Sequence, residues 1–124
     1  MKPSWVTRML VVVPLVVGGS LHFVIPATYE RIVPKQLGRP RELVYLSGAL
    51  EVFAGLMLAS KRTRHVGGYL AAAVLVAIFP ANVQMAVDSG SPAASLGGAM
   101  AWLRLPLQVP LVAWAVQHAR AEPR

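Results

Sequence analysis

One carboxylate decides most of what this chain can fold into. Glu51 sits inside Leu43 to Lys61, LVYLSGALEVFAGLMLASK, a run otherwise apolar or small as far as its closing lysine. Crossing a bilayer takes about 20 such residues. A carboxylate at that depth is costly, so it should face a protein interior and meet a partner. Stepping by four from Ser47 gives Ser47, Glu51, Gly55 and Ala59, one small and polar stripe on a helix. Small residues let a second helix come close, which is how membrane helices associate. The other faces carry Leu43, Leu46, Leu50, Val52, Phe53, Leu56 and Leu58, which suit lipid or neighbouring helices.

Three more apolar runs accompany this one. Together they predict an all-α, integral membrane four-helix bundle, a single domain over residues 1–124, with spans at about 5–25, 43–60, 66–87 and 99–117. Composition agrees: 56% of residues are hydrophobic and 14% charged, against roughly 25% charged in a soluble domain. The net charge of +7 would point to nucleic acid in a soluble protein. Here the basic residues lie mostly between the apolar runs, so they read as topology signals and lipid-headgroup contacts, and no nucleic-acid partner is expected. An even number of spans puts both termini on the same side. That side collects Lys2, Arg8, Lys61, Arg62, Arg64, Arg120 and Arg124, against Arg31, Lys35, Arg39 and Arg41 on the other, which predicts cytoplasmic termini. Gly18-Gly19-Ser20 looks like a signal-peptide cleavage site, but the run continues to Ile25 and the later spans need a partner, so it reads as a retained helix. There is no cysteine, hence no disulfide, thiol nucleophile or thiolate metal site.

Pro26 to Glu42 reads as a loop. Within it Tyr29, Ile32 and Val33 recur at helical spacing opposite Glu30 and Arg31. Two readings fit: a one-turn amphipathic segment in the membrane interface, or an ordinary solvated loop. The third run begins with Gly67, Gly68, Ala71, Ala72 and Ala73, a close-packing face that offers a homodimer contact. Pro80 lacks a donor and should kink that helix. Trp5, Trp102 and Tyr29 suit aromatic belts at the interfaces.

Depth brings the polar residues together. At about 1.5 Å per residue, Glu51, Asn82 and Arg104 lie about 12, 8 and 9 Å below the outer ends of their spans. His22 is near the outer end of the first span, and Gln108 is one turn below Arg104. The candidate site is therefore His22, Glu51, Asn82, Arg104 and Gln108, a polar pocket in the outer half of the bundle. Glu51 and Arg104 are opposite charges at similar depth, and pairing is the cheapest way to keep both. Other arrangements stay open: Arg104 directed outward with Glu51 left to His22, His22 as a packing histidine, or Asn82 repairing carbonyls freed by Pro80. No H-x-x-H or E-x-x-H spacing occurs, so no metal site is expected.

Four motifs in order carry a resemblance. They are His22-Phe23-x-x-Pro26-x-x-Tyr29-x-x-Ile32-Val33-Pro34, Ser47-Gly48-x-x-Glu51-x-x-x-Gly55-Leu56, Phe79-Pro80-Ala81-Asn82-Val83 and Arg104-Leu105-Pro106-Leu107-Gln108. From His22 to about Trp114 the chain resembles the small DoxX-like membrane proteins of bacteria. The resemblance implies a four-helix bundle in the bacterial cytoplasmic membrane, with His22, Glu51, Asn82 and Arg104 as the shared polar set. It does not imply one activity, since members are linked to thiosulfate–quinone oxidation, membrane oxidoreductase complexes and receptor chaperoning. Without cysteine, a redox role needs a partner subunit or a bound quinone.

Two classes of function follow as expectations. One is a binding or accessory protein whose pocket takes a small hydrophobic ligand, such as a quinone or membrane lipid, or docks a subunit of a membrane oxidoreductase complex. The other is an enzyme doing acid–base chemistry on a buried lipid, with Glu51 as acid and His22 as base. A small proton-coupled exporter is a third reading, which an Arg104 beside Glu51 would disfavour.

Overall fold

The computed structural model describes residues 4–31, 33, 37–88, 90 and 95–121. They form helices α1 (Trp5–Val24), α2 (Pro26–Glu30), α3 (Pro40–Ala59), α4 (Arg64–Asp88) and α5 (Leu96–Arg120), and no strand occurs among them. All but α2 are long and apolar enough to cross a membrane. Lys2, Ile32, Pro34, Lys35 and Arg124, named above, lie outside the described residues.

Local chemistry sets the helix ends. Ser4 opens α1 by a capping box: its hydroxyl accepts from the Thr7 amide at 3.1 Å and its own amide donates to Thr7 Oγ1 at 3.1 Å. Pro26 then cannot extend α1 and instead starts α2. Gly38 (φ 64°) and Arg39 (φ 45°) both take left-handed backbone and turn the chain into α3, which begins at Pro40. Pro40 to Glu42 thus belong to the helix rather than the loop, because proline suits a first helical position. At the far end of α3, Thr63 donates to the Met57 carbonyl at 2.7 Å, and Arg64 reaches those of Leu58 and Ala59. These bonds satisfy carbonyls that the helix leaves open. The last helix runs from Leu96 to Arg120, longer than the span read at 99–117, with Ser95 capping it through the Gly98 amide at 2.9 Å.

Glycines set the packing. α1 and α3 cross where Gly19 meets Gly48: a methyl group on Gly19 would fall 2.6 Å from the Gly48 carbonyl oxygen, and one on Gly48 would fall 2.6 Å from His22 Cβ. Helix α4 meets α5 the same way, at Gly68 against Ala115 and Ala119, and Gly67 lies against Met57 and Leu58 of α3. Of the small face of the third span, Gly67, Gly68, Ala71 and Ala72 are buried within this chain and Ala73 is exposed. α1 packs on α3, α3 on α4 and α4 on α5, while α1 touches α5 more lightly, so α3 and α5 stand across the bundle from each other. The core of Val11, Leu15, Leu58, Ala71, Leu75 and Ala115 fills the half nearer the chain ends, hereafter the terminal half. There Thr7 Oγ1 meets His118 Nε2 at 3.1 Å, and His65 Nδ1 donates to the Ala119 carbonyl at 2.6 Å. Outward faces carry Leu46, Leu50, Phe53, Leu56, Val76, Leu103 and Leu107, all exposed.

Candidate functional site

The opposite, distal half is not filled. Its walls enclose a cavity of about 440 Å³, and His22, Glu51, Asn82, Arg104 and Gln108 all line it. Each main helix contributes, so the cavity exists only when the whole bundle is assembled.

The glycine crossing places the first wall. With no side chains between α1 and α3, His22 comes within reach of the α3 backbone, and its Nδ1 lies 3.0 Å from the Val44 carbonyl oxygen. A carbonyl only accepts, so Nδ1 carries a hydrogen. Ser47 Oγ is 3.0 Å from the same nitrogen and 3.1 Å from the same carbonyl, bracing the ring. The other nitrogen, Nε2, therefore faces Glu51, 3.1 Å from Oε2. The approach is close but off the hydrogen-bond axis, and Oε2 has no hydrogen bond of its own although Glu51 is only 5% exposed. One proton between ring and carboxyl gives an imidazolium–carboxylate pair or a neutral imidazole beside a carboxylic acid. Both are net neutral, so a proton can pass between ring and carboxyl without changing the net charge of the apolar wall.

Arg104 is not the partner of Glu51. It is exposed, and its Nη1 reaches Met85 Sδ at 3.6 Å. Depth alone favoured the pair, but α3 and α5 lie on the diagonal while α1 is drawn against α3. His22 thus reaches the carboxylate and the guanidinium is left at the cavity rim.

The facing wall holds two amides. Asn82 Nδ2 donates to Gln108 Oε1 at 3.4 Å, and Gln108 Nε2 donates to the Leu75 carbonyl. Pro80 cannot donate to Val76, four residues earlier, and Leu75 is next to that vacancy. Gln108, rather than Asn82, serves the backbone near the proline.

Sequence reasoning placed Tyr29 in an aromatic belt. Instead α2 folds back on α3, held by Arg41 donating to both carboxylate oxygens of Glu30 at 3.2 and 3.1 Å, and Tyr29 lies against His22 with ring centroids 4.0 Å apart. It lines the cavity together with Val33. Burial raises the Tyr29 phenol above its usual pKa; the charge of Glu51 adds to this and Arg104 opposes it. The helical spacing of Tyr29, Ile32 and Val33 carries a signal of this segment, but not the direction of the fold-back. Val13 and Val17 of α1, 52% and 53% exposed, and the exposed Arg104 of α5 line the cavity where α1 and α5 touch only lightly.

Fold and site together define an all-helical bundle with four helices able to cross a membrane and a polar cavity in one half. The chain belongs to the family described as Domain of unknown function (DUF8561), which matches residues 11–119 and so takes in every residue of the cavity wall. No curated protein and no solved structure matches the chain.

Proposed function

We propose that this is an integral membrane protein whose cavity binds a small hydrophobic or amphipathic molecule, a quinone or a lipid, drawn sideways from the bilayer. The observation that carries this reading is the cavity itself. Its volume of about 440 Å³ lies in the range of small-molecule sites, roughly 300–1,000 Å³. Apolar walls of Val13, Val17, Leu75 and Ile78 accept a ring or chain, while Glu51, Asn82 and Arg104 supply a few fixed polar contacts. An opening between α1 and α5 would face lipid. The DoxX-like resemblance adds a setting for such binding, as accessory subunit of a membrane oxidoreductase complex in the bacterial cytoplasmic membrane.

The test uses a short-chain benzoquinone and oleic acid as probes, with melting temperature and native mass spectrometry as readouts. At a hundred times Kd a bound probe stabilises by about 2.7 kcal/mol, and one of the two should do so. A methyl group at Gly18 meets only Glu51 Oε1, at 3.8 Å, so Gly18→Leu should fill the cavity and abolish the shift while leaving the fold intact. Absence of both shift and retained probe would refute the reading.

The His22–Glu51 contact favours one second reading, acid–base chemistry on the bound molecule. It predicts that wild type catalyses hydrogen–deuterium exchange on an acidic C–H of the substrate. Glu51→Gln would bind equally well but stop the exchange.

A further inference from the structure

At the terminal end, Arg8 of α1 and Arg64 of α4 come together beside His118 of α5, with no counter-charge among the described residues. Thr7 Oγ1 meets His118 Nε2 at 3.1 Å and His65 Nδ1 donates to the Ala119 carbonyl at 2.6 Å, so the residues next to Arg8 and Arg64 both meet the end of α5, and the two guanidinium charges act on each other. Arg8 Nε is buried and has no hydrogen-bond partner. Arg64 spends Nε and Nη2 on the end of α3, at 3.3 and 3.4 Å, which leaves Nη1 uncommitted. Neither arginine has an ion pair among the described residues. The described acids give no relief. Glu30 and Glu42 belong to the distal end, Asp88 ends α4 there, and Glu51 is held in the cavity wall. Glu122 lies outside the described residues.

Like charges brought together by two helices are costly unless an anion joins them. We infer that Arg8 and Arg64 hold the phosphate of an anionic phospholipid at the terminal end of the bundle. Three observations select this ligand. Guanidinium groups offer forked donors that match phosphate oxygens. Arg8 is in the first turn of α1 and Arg64 is the first residue of α4, so both sit at the ends of candidate spans, where headgroups lie. The same end exposes Trp5, Val6, Val66 and Tyr69, an apolar surface for acyl chains. The inference rests on the membrane reading above but not on the cavity.

The test places the full chain in nanodiscs of phosphatidylcholine, with and without phosphatidylglycerol. Melting temperature and the number of lipids retained in native mass spectrometry are the readouts. The expected result is a higher melting temperature with phosphatidylglycerol and one such lipid retained. Arg8→Gln should weaken retention about tenfold, the loss of one charge-assisted contact, and Arg8→Lys should restore part of it. Arg8 is the clean position, because its guanidinium Nε has no protein partner whose loss would unfold the chain. Replacing the exposed Lys61 and Arg62 by Gln should leave retention unchanged. Equal retention in wild type and Arg8→Gln would overturn the site, as would an equal loss from the Lys61/Arg62 variant. Stabilisation by inorganic phosphate in pure phosphatidylcholine discs, matching that of the lipid, would overturn the lipid assignment. A chain that does not enter nanodiscs at all would instead refute the membrane reading.

Discussion

At the scale of single residues, the informative pair is His22 and Glu51. Both are nearly buried, and the imidazole has its other nitrogen fixed by Val44 and Ser47. Removing either member leaves a polar group in an apolar wall. In dry interiors such a change costs about 3–5 kcal/mol; the open cavity and exchangeable partners should make it smaller here. His22→Leu and Glu51→Leu should each lower the melting temperature, and the double variant should lose less than the sum. The coupling should exceed about 0.5 kcal/mol, the scatter of independent sites. Arg104→Gln combined with Glu51→Leu should give a smaller coupling, because the guanidinium contacts Met85 instead. A larger coupling to Arg104 than to His22 would contradict the geometry.

At the scale of elements, one side chain between α4 and α5 does two things. Gln108 accepts from Asn82 and donates to the Leu75 carbonyl one turn before Pro80. Gln108→Leu should cost about 1–3 kcal/mol, the penalty for stranding a buried partner, read as a lower denaturant midpoint. Gln108→Glu keeps an acceptor for Asn82 but turns an oxygen toward a carbonyl, so it should be worse than leucine. A leucine variant as stable as wild type would mean that water serves Leu75 equally well. This seam also shows what a sequence can tell. Runs of apolar residues made the four long helices legible, and residue rise made the shared depth of His22, Glu51, Asn82, Arg104 and Gln108 legible. Depth has no azimuth, however. Which side of α3 meets which helix depends on Gly19 crossing Gly48, a contact between segments about 30 residues apart. That crossing selects His22 over Arg104. The fold-back of α2 was hidden for a like reason, since Arg41 holds Glu30 only after α3 has formed.

At the scale of the molecule, charge is distributed unevenly between the ends. Arg8, Lys61, Arg62, Arg64 and Arg120 gather at the terminal end, where no described carboxylate answers them. In a membrane this bias predicts that the terminal end faces the cytoplasm. The chain has no cysteine, so single cysteines at the exposed positions Arg62 and Arg39 can be labelled without background. An impermeant maleimide applied to intact cells should reach position 39 and not 62; the reverse pattern would invert the orientation.

The His22–Glu51 contact has a further meaning when the order of synthesis is considered. Chains emerge at about 5–20 residues per second. Arg104 follows Glu51 by 53 positions, so it would be made some 3–10 seconds later at that pace. A carboxylate waiting that long for α5 would be exposed to lipid or to misassembly. His22 belongs to a helix made before α3, and the glycine crossing puts it against the carboxylate through contacts that involve α1 and α3 alone. Glu51 therefore has its partner already made when it leaves the ribosome.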